Sequence, residues 1–129
     1  MRFLQPPGWA KPKGYANGIA AKGTMVFVAG QVGWNADAQW QTDDFGEQFA
    51  QALRNVVAVA AEAGAKPEHI VRLTWYITSK REYLGALKAI GAAYREIMGR
   101  HFPAMTLVAV TALVDPNARV EIEAEAVLP

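Results

Sequence analysis

The stretch Met105-Thr-Leu-Val-Ala-Val-Thr-Ala-Leu-Val114 is apolar at eight of its ten positions. Successive side chains of a strand point to opposite faces of a sheet, so this pattern predicts a strand with apolar residues on both faces. The stretch from Arg119 to Val127 instead alternates strictly, which predicts a strand with one apolar and one acidic face. Its apolar residues are Val120, Ile122, Ala124 and Ala126, and its acidic residues are Glu121, Glu123 and Glu125.

Two helices are predicted upstream of this pair of strands. Apolar residues recur every three or four positions over residues 43–63, and Thr42 or Asp43 can cap the start of that helix. The run Ser79-Lys-Arg-Glu82 has the form of a capping box, so a second helix is expected over residues 79–99. In both cases a glycine and then a proline follow the last apolar position and stop the helix.

Two further strands are predicted, one before each helix. Residues 24–30 form a short β-branched run that ends in glycine, and residues 70–78 alternate between apolar and polar side chains. The first 23 residues hold three of the seven prolines and four of the eleven glycines, so we expect a loop there with at most a short strand around Ile19–Lys22.

This order of elements predicts an α+β fold in a single domain over residues 1–129. Strand–helix–strand connections are right-handed, so both helices are expected on one face of a mixed sheet. The strand at 105–114 then presents apolar side chains to the other face, for which the chain has no further helix. A second copy of the chain could cover that face, and we therefore expect a homo-oligomer with ligand clefts between subunits.

Composition excludes several classes of site. The chain has no cysteine, which rules out disulfides, thiolate nucleophiles and iron–sulfur clusters. Its net charge of +1 does not favour nucleic acid or an anionic membrane as a partner. Two prolines interrupt the region where a signal peptide would need an apolar helix, so a cytoplasmic protein is expected. No common nucleotide-binding, hydrolase or metalloprotease motif is present, and neither cofactor nor metal is predicted.

A few residues remain as candidates for chemistry. Glu121 is expected to lie deepest in the sheet of the three glutamates, where partial burial suits a carboxyl group to proton transfer. Gly30 and Gln31 follow a strand, where backbone N–H groups can hold a ligand oxygen, although a plain turn is an equally good interpretation. His69 and His101 lie beside helix ends and lack the neighbours of a metal site, so a surface or capping role is expected.

Four segments together resemble the RidA/YjgF superfamily of reactive-intermediate (enamine/imine) deaminases, and the resemblance spans roughly residues 13 to 127. They are Lys13-Gly-Tyr15-Ala, Val28-Ala-Gly30-Gln31, Phe102-Pro-Ala-Met105-Thr-Leu-Val and Val120-Glu121-Ile-Glu-Ala. The resemblance implies a chorismate-mutase-like fold and a homotrimer whose sheets form an inner barrel, with a small-molecule ligand bound at each subunit interface. It also implies that Tyr15 and Glu121 belong to the catalytic site, with Glu121 orienting the attacking water.

The resemblance places Gly30, Gln31, Ala104, Met105 and Leu107 in the substrate site. In the catalytic branch an arginine in a Pro-Ala-Arg motif binds the carboxylate of a 2-imino acid such as 2-iminopropanoate. This chain has Met105 there, which cannot make the two-pronged contact of a guanidinium group. It also has Ala29, Gly91 and Leu107 where the branch commonly has serine, asparagine and cysteine.

Two functions follow from this mixture of retained and altered residues. The first is a divergent deaminase that hydrolyses a larger or less acidic enamine or imine, with Glu121 positioning water and Tyr15 shaping the pocket. The second is a non-catalytic trimeric protein that binds a small apolar metabolite. Endoribonuclease activity is a third and weaker alternative, because the charge is balanced and no catalytic grouping of histidine and lysine is present.

Overall fold

The central sheet is mixed and has four strands. The computed structural model describes residues 1–129. Its elements are β1 (Arg2–Leu4), β2 (Gly18–Ala20), β3 (Thr24–Val32), α1 (Phe45–Ala61), a 3-10 turn (Pro67–His69), β4 (Ile70–Ile77), α2 (Lys80–Gly85), α3 (Leu87–Met98), β5 (Ala104–Ala109) and β6 (Val120–Leu128). The strand order is β3-β6-β4-β5, so β3 and β5 are the edges. Strand β6 is antiparallel to both neighbours, whereas β4 and β5 are parallel. The mixed α+β architecture is as predicted.

The core lies between one face of this sheet and the helices. Helix α1 packs on β3 and β6 and against α3, so the helices share one face as expected. Phe49 of α1 is fully buried, and its ring lies 4.6 Å from that of Trp75 on β4. The apolar residues predicted for β6 are buried against the same layer. The longest helix has 17 residues, and no helix has both the length and the apolarity needed to cross a bilayer.

The opposite face of the sheet, here called the open face, is less apolar than predicted. The centre of this face carries the β6 glutamates beside Arg72 of β4. Its large apolar side chains are confined to the edges, where Met25 and Phe27 of β3 are 58% and 69% exposed. Strand β5 ends at Ala109 because its partner β4 ends at Ile77, so most of the second half of the predicted strand at 105–114 has no strand to pair with.

The helix predicted over residues 79–99 is two helices. Ala86 leaves the helical conformation, with φ −111° and ψ 10°, and separates α2 from α3. The predicted capping box is only half formed: the Ser79 hydroxyl accepts from Glu82 N at 3.1 Å. The Glu82 carboxylate instead accepts from Arg119 Nη1 at 2.6 Å, because a charge-assisted bond is stronger than one to a neutral backbone N–H.

Two further boundaries differ from the predictions. Asp44, and neither Thr42 nor Asp43, caps α1, with its carboxylate accepting from Glu47 N at 3.0 Å. At the N-terminus β1 pairs with β2 in a separate two-stranded ribbon. Strand β2 overlaps the short strand predicted around Ile19–Lys22, whereas β1 lies where a loop was predicted. Strands of three residues are too short to show a periodic pattern.

Gln48 connects α1 to the loop that leads into β6. Its side chain is fully buried, and Nε2 donates to Asn117 O at 2.9 Å and to Thr42 O at 3.2 Å. Its Oε1 accepts from Arg119 N at 2.8 Å. All of its polar atoms are therefore used to hold backbone groups that have no other partner in a strand or helix.

Gln48→Leu should lower the free energy of unfolding by about 2–4 kcal/mol, because a side chain of similar size leaves buried backbone groups unpaired. Urea unfolding at a fixed protein concentration measures this loss. The control is Gln41→Leu, at an exposed position, which should change stability by less than about 0.5 kcal/mol. Equal stability of the two variants would show that Gln48 does not support the fold in this way.

Candidate functional site

An open cavity of about 470 Å³ lies beside the edge strand β5, on the helical side of the sheet. The N-terminal segment, β4, β5 and helices α2 and α3 contribute its walls. Nine of the thirteen lining residues are hydrophobic, so an apolar ligand could lose much of its contact with water there. The lining residues are Lys13, Gly14, Tyr15, Trp75, Tyr83, Leu87, Ile90, Gly91, Tyr94, Arg95, Phe102, Met105 and Leu107.

Three of the predicted site residues line this cavity: Tyr15, Met105 and Leu107. Met105 and Leu107 pair in register with Leu73 and Trp75 of β4, which places their side chains on the helical face of the sheet. The backbone next to Tyr15 is bonded to the start of β5, because Ala16 N donates to Pro103 O at 3.0 Å, and this holds Tyr15 at the cavity wall. Ala104 is not in the lining, and lies in a smaller depression of about 150 Å³ that Tyr15 and Met105 also line, together with Arg72.

The cavity wall also contains aromatic groups with buried polar atoms. Tyr94 O–H donates to His101 O at 2.6 Å, and burial raises the pKa of the Tyr94 phenol above its usual value. Trp75 is only 5% exposed, and its indole Nε1–H is buried without a hydrogen-bond partner. The Tyr94 phenol is uncharged at neutral pH and the indole of Trp75 does not titrate, so neither ring adds charge to the cavity wall.

Lys13 and Arg95 add two positively charged side chains to the cavity, and neither was predicted as a site residue. Arg95 follows Gly91 by four residues, a spacing that puts both on one face of a helix. That spacing was the only feature of the sequence that could have indicated Arg95 as a site residue. For Lys13 the only such feature was its position two residues before Tyr15.

Glu121 lies on the open face, away from this cavity. It occupies the second position of β6, opposite Tyr76 of β4, so it is nearer the end of the strand than predicted. Glu123 is the more central residue and accepts from Tyr76 O–H at 2.6 Å. That hydrogen bond, more than burial or the charges of the two glutamates, raises the pKa of Tyr76. Glu125 pairs with Arg72 at 3.8 Å.

Glu121 therefore differs from the other two glutamates in a way that matters for chemistry. Its side chain is half-buried, yet it makes no hydrogen bond or ion pair within the chain, whereas Glu123 and Glu125 are both engaged. An unengaged carboxylate can accept a proton from water without breaking an existing contact.

Gly30 makes room for that carboxylate. A Cβ built on Gly30 would collide with Glu121 Oε2, so residue 30 can carry no side chain while the carboxylate stays in place. Strand β3 continues past the predicted end to Val32, and Gly30 lies in an irregularity of the pairing between Val28 and Gln31. Gln31 donates from Nε2 to Ala29 O at 3.1 Å. A close approach to Glu121, rather than a turn, accounts for this glycine.

The predicted site residues thus form two groups that one chain does not bring together. Tyr15, Met105 and Leu107 line the cavity beside β5, whereas Gly30 and Glu121 meet on the open face near β3. The two groups lie toward opposite edges of a four-stranded sheet and on different faces of it.

The two histidines serve the backbone. His69 Nδ1 accepts from Lys66 N at 2.9 Å, and His101 Nε2–H donates to Ile70 O at 2.6 Å. The prediction for both was a surface or capping role: His69 caps the 3-10 turn, whereas His101 bonds the first carbonyl of β4.

The chain is similar to known proteins over nearly its whole length. A family model described as Endoribonuclease L-PSP matches residues 9–128. A RutC family protein of Aquifex aeolicus is 34% identical, with 98% of this chain and 99% of that protein covered. A 2-iminobutanoate/2-iminopropanoate deaminase of Salmonella typhimurium is 30% identical over 88% of this chain and 86% of the relative.

Solved structures share the fold. The Rid family protein YyfB of Yersinia pestis, described as of unknown function, has a TM-score of 0.84 and 31% identity, with 98% of both chains covered. The E. coli protein TdcF, solved with bound serine, has a TM-score of 0.70 and 27% identity, with all of both chains covered.

Gly30→Ala should destabilise the protein by about 0.5–1 kcal/mol, because the new methyl group displaces the Glu121 carboxylate, which is the free end of a flexible side chain. In a Glu121→Ala background the same substitution should cost at least about 0.5 kcal/mol less, since the clash is gone. Urea unfolding of the two single variants and the double variant measures this coupling.

Gly85→Ala is the matched control, because a Cβ at residue 85 would meet open space. It should show no coupling to Glu121→Ala. If Gly30→Ala cost the same with and without the Glu121 side chain, residue 30 would not be a glycine for the sake of that carboxylate.

Proposed function

The chain belongs to the RidA/YjgF family, and from this membership we propose that it is a hydrolytic deaminase of imine or enamine metabolites. One observation supports this proposal above the others: the Glu121 carboxylate is half-buried, free of partners and given space by Gly30.

The reaction adds water across a carbon–nitrogen double bond. Glu121 takes a proton from the attacking water as the oxygen bonds to the carbon of the protonated imine, which gives a neutral carbinolamine. Glu121 then returns that proton to the nitrogen. The carbon–nitrogen bond breaks as the hydroxyl oxygen forms the carbonyl, the hydroxyl proton passes back to the Glu121 carboxylate, and ammonia leaves. A single carboxylate can therefore act first as base and then as acid.

Assembly of copies would complete the site. Glu121 and the cavity lie on different faces of one chain, so a glutamate from one subunit has to meet the cavity of its neighbour. The exposed apolar side chains of Met25 and Phe27 on the edge strand β3 support such an interface. We propose a homotrimer with three sites between subunits, in keeping with the family resemblance.

The cavity favours a substrate with an apolar side chain. Met105, Leu107 and Gly91 replace polar residues that are common in the deaminase branch, and they leave an apolar space of about 470 Å³. The relative from Salmonella is named for the small substrates 2-iminobutanoate and 2-iminopropanoate. For this chain we propose a bulkier imine or enamine.

Binding without catalysis is the second candidate. The replacement of the carboxylate-binding arginine by Met105 favours it, because that change removes the cation which holds the substrate in the catalytic branch. An apolar metabolite without a reactive carbon–nitrogen double bond would then be the ligand.

Cleavage of RNA has less support, although the matching family model bears an endoribonuclease description. The net charge is +1, and each histidine already uses one ring nitrogen to bond the backbone. Neither the charge nor the histidines thus favour binding and cutting a polyanion.

The protein should accelerate hydrolysis of 2-imino acids made in situ by an amino-acid oxidase from leucine or phenylalanine, with a smaller effect on the imine from alanine. Release of the keto acid above the rate in buffer measures the activity. Glu121→Gln should lower that rate by about 100-fold or more, because the amide cannot take the proton from water.

Glu125→Gln is the matched control on the same strand and face, and it should stay within about twofold of the unaltered protein, because Arg72 already engages that carboxylate in an exposed pair. Met105→Arg should raise the rate on the alanine-derived imine by restoring a guanidinium group. Rates equal to buffer for every imine would overturn the catalytic proposal and favour the binding protein.

The protein should behave in solution as a particle of three times the 14.0 kDa chain mass, measured by light scattering after size exclusion. Phe27→Asp should weaken that assembly, because it puts a charge into the proposed interface. The control is Leu84→Asp, an equally large change at an exposed residue of α2 on the helical side. A monomeric unaltered protein would contradict the proposed trimer.

A further inference from the structure

The cavity beside β5 is lined by two positively charged side chains that form no ion pair within the chain. Lys13 and Arg95 both belong to its lining, and no aspartate or glutamate does. The ion pairs of the chain involve Arg54, Arg72 and Arg119, so neither of the two cavity cations is paired. A mostly apolar cavity with unpaired positive charge is suited to an anion that has an apolar part.

The conformation of Arg95 explains how it reaches the cavity. Its Nη1 atom lies 3.5 Å from the position that a Cβ on Gly91 would occupy, one helical turn earlier on α3. Gly91 itself lines the cavity and has no side chain, so the guanidinium group lies over the space left free there. The i, i+4 spacing on a helix makes this contact possible.

Met105 lies in the same lining as Arg95 but has no charge. The position from which the deaminase branch binds a carboxylate is thus apolar here, while a guanidinium group is available from helix α3. The guanidinium group of Arg95, like that of the arginine in the deaminase branch, can make the two-pronged contact with a carboxylate that a methionine side chain cannot.

We propose that Arg95, assisted by Lys13, binds the substrate carboxylate in place of the arginine that Met105 replaces. This inference rests on the proposed function, since it takes the cavity as the substrate site. The substrate class is then a 2-imino acid with a bulky apolar side chain: its carboxylate lies at α3 and its apolar part lies over Met105 and Leu107.

The test measures binding rather than turnover, with 3-phenylpropanoate and its uncharged analogue 3-phenylpropanamide as probes. Isothermal titration calorimetry should show that the unaltered protein prefers the carboxylate. Arg95→Gln should weaken binding of the carboxylate by roughly tenfold and leave binding of the amide unchanged. Arg95 is exposed, so the variant should fold, and an unchanged unfolding midpoint checks this.

Arg100→Gln is the matched control, because Arg100 is an exposed and unpaired arginine nearby that does not line the cavity. It should bind both probes as the unaltered protein does. The inference is overturned if Arg95→Gln weakens both probes equally, if it weakens neither, or if the unaltered protein does not prefer the carboxylate.

The two proposals can fail separately. Imine hydrolysis that depends on Glu121 but not on Arg95 would leave the deaminase proposal in place and overturn the role of Arg95 in binding the carboxylate. Carboxylate binding that depends on Arg95, without hydrolysis of any imine, would support that role and identify the protein as a binder of apolar carboxylates.

Discussion

The position of β6 between two antiparallel neighbours is the constraint on which the rest of the structure depends. Because its side chains alternate, one face of this strand has to supply the centre of the core while the other carries three glutamates. Like charges at every second position of a strand repel unless they are solvated or paired. Tyr76 and Arg72 of the neighbouring strand engage two of the three, which leaves Glu121 as the one with a free carboxylate.

The same arrangement separates the parts of the candidate site. Strand β5 lies at the edge beyond β4. Its side chains on the helical face line the cavity beside α3, and the glutamates lie on the other face of the sheet. A carboxylate on one face and an apolar cavity on the other can act on one ligand only if copies of the chain assemble as proposed. The open face that would take part in this assembly is less apolar than the sequence pattern predicts.

Several features were predictable because they depend on local periodicity. The alternation in β4 and β6, the helical repeat of α1 and the single helical layer all follow from which face of each element has to be buried. The break at Ala86 was not predictable, since it interrupts a continuous apolar stripe. The cap by Asp44 was also missed, because Thr42, Asp43 and Asp44 are all residue types that favour this position.

The sequence by itself determined the longest helix, the strands at the centre of the sheet, the side of the sheet that forms the core and the family to which the chain belongs, because these depend on patterns within short stretches and on the order of motifs. Only the tertiary structure decided which polar groups have partners. Whether Glu121 is free, whether Gly30 gives it room and whether Arg95 reaches the cavity depend on strand register and helix packing, which bring together residues far apart in the chain.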